Sequence, residues 1–202
     1  MKLVIFDMDG VLVDACEWHR VALNEALQEI SGYQISAKDH FAEYNGIPTK
    51  VKLKKLVEKG HVRASDVEEI EKEKQRKTVE LIERSACERT EKIELMKHLK
   101  KKGIKIACYT NSVRETTELM LERTGILSYF DLLITNQDVT NPKPHPEGYL
   151  TCIERMQLSP SDCLIIEDSP KGIEAATATG SRVMVVQSPD DVTIESIERF
   201  IE

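Results

Sequence analysis

Near its start the chain reads Leu3-Val4-Ile5-Phe6-Asp7-Met8-Asp9-Gly10. Four consecutive apolar residues predict a strand that is buried on both faces, as in a parallel sheet. The two aspartates that follow are two residues apart, so their side chains project to the same side of the strand end. Carboxylates this close repel each other unless a proton or a cation lies between them, and Mg²⁺ is the simplest oxygen-seeking cation. The alternative is that one aspartate caps a helix and the other forms a turn.

The composition excludes several classes of protein. A chain of 202 residues with 41% apolar residues can form one large domain, or one domain with an insertion, around a proper core. The net charge of −7 argues against a nucleic-acid partner, because phosphates require a basic surface. The five cysteines lack a CxxC pair and indicate free thiols in a reducing compartment. With no long apolar run and no signal peptide, we expect a cytoplasmic protein without a membrane partner.

After the first strand, residues 16–88 predict only helices. The first helix runs from Cys16 to about Ser31, and a capping box at 36–39 begins a short second one. Thr49 is predicted to cap a third helix, in which Val51, Leu53, Leu56 and Val57 face inward. A long helix with charges of alternating sign then continues to about Glu88, which is typical of a solvated face.

From residue 89 onwards, strands alternate with helices. The predicted strands are 104–109, 132–135, 163–166 and 182–186. This alternation predicts an α/β fold, a Rossmann-like parallel sheet with helices on both faces. We therefore expect a core domain built from residues 1–15 and 89–202, with an inserted α-helical cap domain at 16–88 that is placed to be a lid.

Polar side chains follow the predicted strands at the points where these end. Ligands of such sheets bind outside the carboxyl ends of the strands, where the strand order reverses. We expect one pocket to collect the Asp7/Asp9 pair, Thr110-Asn111-Ser112, Lys143 and Glu167-Asp168.

These residue types suit phosphoryl transfer through an aspartyl phosphate. A carboxylate can attack phosphorus when Mg²⁺ neutralises the incoming phosphate and holds both groups in line. Asp7 would be the nucleophile. Asp9 would protonate the leaving oxygen and would then act as general base on the water that hydrolyses the intermediate.

The remaining polar groups would bind the phosphate and the metal. Thr110, with Asn111 beside it, and Lys143 would hold the non-bridging oxygens, where charge builds up. Asp168, supported by Glu167, would complete the metal site.

Each of these assignments has a structural alternative. Thr110 could cap a helix, although Ser112 fills that role better, and Lys143 could be a solvated lysine between two prolines. The acidic pair could belong to a plain helix start, with Ser169 as the cap before a proline. That last alternative leaves two consecutive acids after a buried strand unexplained.

Four segments resemble, in order, the motifs of the haloacid dehalogenase-like hydrolases. They are Asp7–Asp14, Tyr109–Ser112, Lys143–Pro146 and Glu167–Ala176. The resemblance spans the whole predicted core and implies a Rossmann-like fold, Mg²⁺ dependence and the roles given above, with Asp9 contributing its backbone carbonyl to the metal. The helical stretch 16–88 is similar to the family's cap, which closes over the site and selects the substrate.

Within this family an aspartate at the position of Asp9 favours phosphoryl transfer over dehalogenation. A carboxylic acid there suits protonation of a phosphate ester's leaving oxygen. The segments look most like those of phosphatases and β-phosphoglucomutases, so we predict a phosphatase acting on a small phosphorylated metabolite such as a sugar phosphate. The alternatives are a sugar-phosphate mutase, a phospho-acceptor signalling domain, and a binding protein that kept the scaffold without the activity.

Substrate specificity is expected to depend on the predicted cap. His19 falls where the mutases have a cap-helix histidine, although a surface histidine would read the same way. In the segment 45–50, which includes Gly46, Thr49 stands where we align the mutases' phosphate-binding arginine and Lys50 is beside it. Lysine is not an equivalent bidentate clamp for phosphate, which favours the phosphatase over the mutase.

Overall fold

The predicted parallel sheet is present in the computed structural model, which describes residues 1–44 and 46–201. All strand pairs are parallel, and the order across the sheet is β3-β2-β1-β4-β5. The strands are β1 Leu3–Phe6, β2 Lys105–Tyr109, β3 Leu132–Ile134, β4 Cys163–Glu167 and β5 Arg182–Val185. This architecture confirms the predicted fold class.

The first strand of the chain is the central strand of the sheet. Phe6, the last residue of β1, pairs with Cys108 of β2 on one side and with Ile166 of β4 on the other. All four residues of β1 are fully buried, as expected for an apolar strand that is covered on both faces. The strand order reverses at β1, so Asp7 follows the sheet at its topological switch point.

The chain divides into two compact units, which are described separately. One, called the core unit here, comprises Met1–Asp14 and Cys87–Glu202; the other, called the inserted unit, comprises Ala15–Ala86. The helices of the inserted unit are α1 Cys16–Ser31, α2 Ala37–Asp39, α3 Thr49–Glu58 and α4 Val67–Ser85, with a π-helical turn at His40–Tyr44. The Ser36 hydroxyl accepts a hydrogen bond from the Asp39 N–H, which confirms the predicted cap of α2.

The third helix corrects two details of the sequence prediction. Thr49 is its first residue and Pro48 stands in the cap position, where the missing proline N–H costs no intrahelical bond. Val51 is 38% exposed, whereas Lys52 is only 6% exposed beside Leu53. The buried residues Lys52, Leu53 and Leu56 share one face of the helix, and the long apolar stem of a lysine can pack there.

The helices of the core unit flank the sheet. They are α5 Thr90–Lys101, α6 Arg114–Arg123, α7 Glu147–Arg155, α8 Pro170–Thr177 and α9 Ile194–Ile201. Helix α8 begins as predicted, since the Ser169 hydroxyl accepts a hydrogen bond from the Gly172 N–H and Pro170 is the first helical residue. The buried thiols of Cys108, Cys152 and Cys163 belong to this core. Among the residues described, no helix is both long enough and apolar enough to cross a membrane.

Candidate active site

A buried lysine bridges two carboxylates at the carboxyl edge of the sheet. The Lys143 Nζ lies 2.5 Å from Asp7 Oδ1 and 2.6 Å from Glu167 Oε1. Asp7 directly follows β1, Glu167 ends β4, and Lys143 lies on the loop between β3 and α7. None of the three is more than 6% exposed. Buried charges are costly unless they are paired, so this bridge is the main electrostatic contact of the site.

The bridge acts differently on the three pKa values. Burial raises the pKa of Asp7 well above its ordinary value, and this exceeds the opposing effect of Lys143. Burial also acts to raise the pKa of Glu167, but the charge of Lys143 and the hydrogen bonds that Glu167 accepts together outweigh it, so the pKa is lowered. The pKa of Lys143 is raised because the two carboxylates outweigh the effect of its burial. The lysine is therefore charged, and Glu167 is the carboxylate that most firmly balances it.

Both oxygens of Glu167 accept hydrogen bonds. Oε1 accepts from Lys143 Nζ and from the Tyr149 hydroxyl, each at 2.6 Å. Oε2 accepts from the Asp168 N–H at 3.0 Å, and from the Ser169 N–H and hydroxyl at 3.2 Å. These donors fix Glu167 in one orientation and tie it to the start of α8.

Asp168 is the carboxylate of this group with unused hydrogen-bonding capacity. Its Oδ1 is buried, and no donor in the described part of the chain reaches it. Burial, followed by the charge of Glu167, raises its pKa to about 6. Three carboxylate oxygens, one each from Asp7, Glu167 and Asp168, lie within 4.8 Å of one another. A buried acidic cluster with an unsatisfied oxygen fits a hard divalent cation.

Gly10 makes room for this cluster. Its φ of +92° is a conformation that L side chains rarely adopt, and a Cβ added there would lie 2.2 Å from Asp168 Oδ2. The glycine after the two aspartates therefore allows the first loop to approach the acidic end of β4.

The side chain of Asp9 is held by a serine from another loop. The Ser112 hydroxyl donates to Asp9 Oδ2 at 2.8 Å. The prediction that Ser112 caps the following helix is wrong, because α6 begins at Arg114 with Val113 in the cap position. The residue lies one position too early to reach the first free N–H groups of that helix, and its hydroxyl bonds to a carboxylate that is distant in sequence.

Thr110 and Asn111 organise the loops around Lys143. Thr110 is 1% exposed, and its Oγ1 accepts a hydrogen bond from the Ser112 N–H at 3.0 Å. The Asn111 side-chain oxygen accepts from the Lys143 N–H at 3.2 Å, which joins the loop after β2 to the loop after β3. Contact of either residue with a phosphate stays a prediction.

The predicted specificity residues lie in the inserted unit. His19 Nδ1 is 3.2 Å from Lys74 Nζ. Gly46 has a positive φ of 70°, Thr49 begins α3, and Lys50 is exposed on that helix. Asn45, at the start of the same predicted segment, lies outside the described residues.

Two tyrosines at the site were not predicted from the sequence. From the sequence, Tyr109 is the end of a strand and the first residue of the second motif, and Tyr149 is part of a helix, with no role at the site predicted for either. The available signal was weak: both are aromatic residues that carry a hydroxyl at otherwise buried positions, and such hydroxyls usually have a polar partner.

Comparison with known proteins agrees with this geometry. A model of the family described as haloacid dehalogenase-like hydrolase matches residues 4–186. The chain belongs to this family of hydrolases. Membership confirms the resemblance predicted from the four motifs, and with it the prediction that the protein is an enzyme of this hydrolase class.

Relatives of this hydrolase include proteins named as phosphatases. The phosphorylated carbohydrates phosphatase of Thermotoga maritima is 31% identical over 183 residues, covering 89% of this chain and 82% of that protein. The fructose-1-phosphate phosphatase of Escherichia coli is 31% identical over 179 residues, covering 88% of this chain and 92% of that protein. The solved β-phosphoglucomutase of Clostridium difficile superposes with a TM-score of 0.85 at 24% identity, covering 98% and 96% of the two chains. At that identity the last likeness shows the fold alone.

Proposed function

We propose that this hydrolase is a Mg²⁺-dependent phosphatase that cleaves the monoester of a small phosphorylated metabolite, such as a sugar phosphate, through an aspartyl phosphate. The observation that carries the proposal is the buried contact of Lys143 Nζ with Asp7 Oδ1 at the switch point of the sheet. A lysine placed there can neutralise a phosphoryl group that is transferred to the aspartate. The two relatives named as phosphatases support the same class of reaction and of substrate.

In the proposed reaction each aspartate has one task. A carboxylate oxygen of Asp7 forms a bond to phosphorus as the bond between phosphorus and the ester oxygen breaks, and Asp9 gives its proton to that leaving oxygen. Asp9 then takes a proton from a water, whose oxygen attacks phosphorus and releases Asp7 and inorganic phosphate. Thr110, Asn111 and Lys143 bind the non-bridging oxygens throughout.

The proposed metal ligands are the side chains of Asp7 and Asp168 and the backbone carbonyl of Asp9. The unsatisfied Oδ1 of Asp168 supports this assignment. Glu167 adds negative charge to the cluster and, since its oxygens already accept hydrogen bonds, we assign it the role of supporting Lys143 and the loop of Asp168. Bound Mg²⁺ would neutralise the phosphate that approaches Asp7.

The proposal extends to specificity. As in the family's cap proteins, the helices between residues 16 and 88 would select the substrate, with His19, Gly46, Thr49 and Lys50 as candidates. The substrate class is tested by a panel of sugar phosphates and other phosphorylated metabolites.

Removal of the metal should stop turnover. With a sugar phosphate and Mg²⁺ we expect release of inorganic phosphate, and treatment with a chelator should lower the rate at least about 100-fold because the buried carboxylates would then repel the phosphate. Mg²⁺ added in excess should restore the rate. Undiminished hydrolysis without divalent cations would contradict the metal assignment, and conversion of the sugar phosphate to an isomer without phosphate release would indicate a mutase.

The bond from Ser112 to Asp9 yields a second prediction. Ser112→Ala should lower kcat about tenfold. General acid–base catalysis contributes about 10²–10⁴-fold to the rate, and an Asp9 side chain that is no longer oriented by Ser112 would lose part of that contribution. The loss should be greater for a sugar phosphate than for p-nitrophenyl phosphate, whose leaving oxygen needs little protonation.

Two variants control this experiment. Ser112→Thr keeps the hydroxyl and should recover most of the rate, and Ser161→Ala, at an exposed serine of the core unit, should behave like the parent. Equal losses for both substrates would show that Ser112 does not act through protonation of the leaving oxygen.

A further inference from the structure

The Lys143 ammonium lies between two tyrosine rings. Its Nζ is 4.9 Å from the ring centroid of Tyr109 and 4.9 Å from that of Tyr149. The rings are perpendicular, at 89°, with centroids 4.9 Å apart, and both side chains are fully buried. Distances below about 6 Å allow a cation–π attraction, which is strongest where water is excluded. We call Tyr109 and Tyr149 together the aromatic box.

A glycine brings the two rings together. Gly148 precedes Tyr149 in α7, and a Cβ added to it would lie 2.1 Å from Cζ of the Tyr109 ring. The helix backbone therefore approaches the end of β2 closely enough for the Tyr109 ring to lie against it. Any side chain at Gly148 would push apart the two elements that carry the box.

The box is also connected to the carboxylates. The Tyr149 hydroxyl donates to Glu167 Oε1 at 2.6 Å, the same oxygen that accepts from Lys143. Tyr149 thus contacts the lysine through its ring and the lysine's second anchor through its hydroxyl. The Tyr109 hydroxyl is buried and has no hydrogen-bond partner within the described ranges. Tyr109 therefore contacts Lys143 through the face of its ring.

We propose that Tyr109 and Tyr149 are positioning residues for catalysis, which hold the Lys143 ammonium against Asp7. A lysine stem has four flexible carbons, so an ammonium held only by two carboxylates could still pivot between them. Two perpendicular rings and a fixed Glu167 remove that freedom. The expected effect on turnover rests on the proposed phosphatase function. The inference that the two rings hold Lys143 in position does not depend on that function.

The kinetic test separates the hydroxyl from the ring. Tyr149→Phe keeps the ring and should lower kcat about threefold to tenfold with KM little changed, whereas Tyr149→Leu should lower it about 100-fold, the effect expected when a reacting group moves by about 1 Å. Tyr129→Phe, at a tyrosine on the 3₁₀ turn before β3, is the matched control and should retain the parent rate.

A second measurement tests the contact between Lys143 and the aromatic box without relying on turnover. In lysine side-chain NMR spectra, with Lys143→Arg used for assignment, the Hε protons of Lys143 should be shifted upfield by the two rings, and Tyr149→Leu should move them toward the position of exposed lysines. If the signal is unshifted in the parent, the box is refuted. If it is shifted but Tyr149→Leu keeps the parent kcat, the positioning role is refuted. A parent that releases no phosphate refutes the proposed function, while the NMR result still decides whether the box holds the lysine.

Discussion

Asp7→Asn should fold like the parent and lose about 10⁴-fold or more in kcat, because removal of the nucleophile of another hydrolase has an effect of at least this order. An amide is a poor nucleophile, and the proposed reaction offers no second carboxylate at the position of Asp7. The fold should survive because the amide oxygen can still accept from Lys143, and Lys143 keeps its contact with Glu167. Burial already disfavours the charged form of Asp7, so a neutral isostere removes an unfavourable charge.

The intermediate itself can be measured. After brief mixing with a phosphorus-labelled substrate and acid quenching, the parent should retain label in a form that hydroxylamine releases, as an acyl phosphate does, and Asp7→Asn should retain none. Asp190→Asn, at an aspartate whose side chain is 83% exposed, is the matched control. A variant at Asp7 with a rate within about tenfold of the parent would exclude the aspartyl phosphate, since tenfold corresponds to only about 1.4 kcal/mol of barrier.

Lys143→Met should impair both catalysis and stability. Without the ammonium, two buried carboxylates lose the charge that balances them, and removal of one partner of a buried ion pair costs about 3–5 kcal/mol of unfolding free energy. The kcat should fall about 10²–10³-fold, since the same ammonium would stabilise the phosphoryl oxygens and removing one such donor costs about that much elsewhere.

The loss of stability in Lys143→Met should depend on pH. In the parent the pKa of Glu167 is lowered, so its contribution is present above the unfolded pKa and is lost as the pH falls through the folded pKa. In the variant, burial without the cation raises the pKa values of both carboxylates, so the folded state binds more protons than the unfolded state and becomes more stable as the pH falls. The difference between parent and variant should therefore be larger at about pH 8 than at about pH 5.

This is measured by denaturant unfolding of both proteins in chelator, so that no cation replaces the lysine charge. Lys97→Met, at an exposed lysine of α5, provides the control and should show little loss at either pH. A destabilisation by Lys143→Met that is the same at both pH values would mean that the carboxylates are not the cause.

Much of the fold could be predicted because its signals are local. The apolar run of β1 and the glycine that ends α1 are physical requirements of single elements. The convergence of Asp7, Lys143 and Glu167 was also predictable, because parallel strands carry the residues after them to one edge of the sheet.

The sequence did not show which of several possible groups a side chain bonds to or packs against. A serine before a helix can cap it or bond elsewhere, and Ser112 bonds to Asp9 because that carboxylate lies within reach only after β1 and β2 have paired. Val51 was expected to face inward, but it is exposed and the neighbouring Lys52 is buried. The aromatic box combines the end of β2 with α7, and no periodicity within either element indicates that the two will meet.

The central place of β1 has a consequence for how the protein folds. The strand that precedes Asp7 needs neighbours on both sides, and Phe6 completes its pairing only with Ile166, which lies far along the chain. Until then one edge of this apolar strand is unpaired. Strand pairing between residues so far apart in sequence slows folding, and the exposed edge makes the incomplete chain prone to aggregation. A chain that stops before β4 lacks Glu167 and Asp168 as well, so truncated copies cannot assemble the charged site. The charged site can therefore form only after β1 has paired with β4.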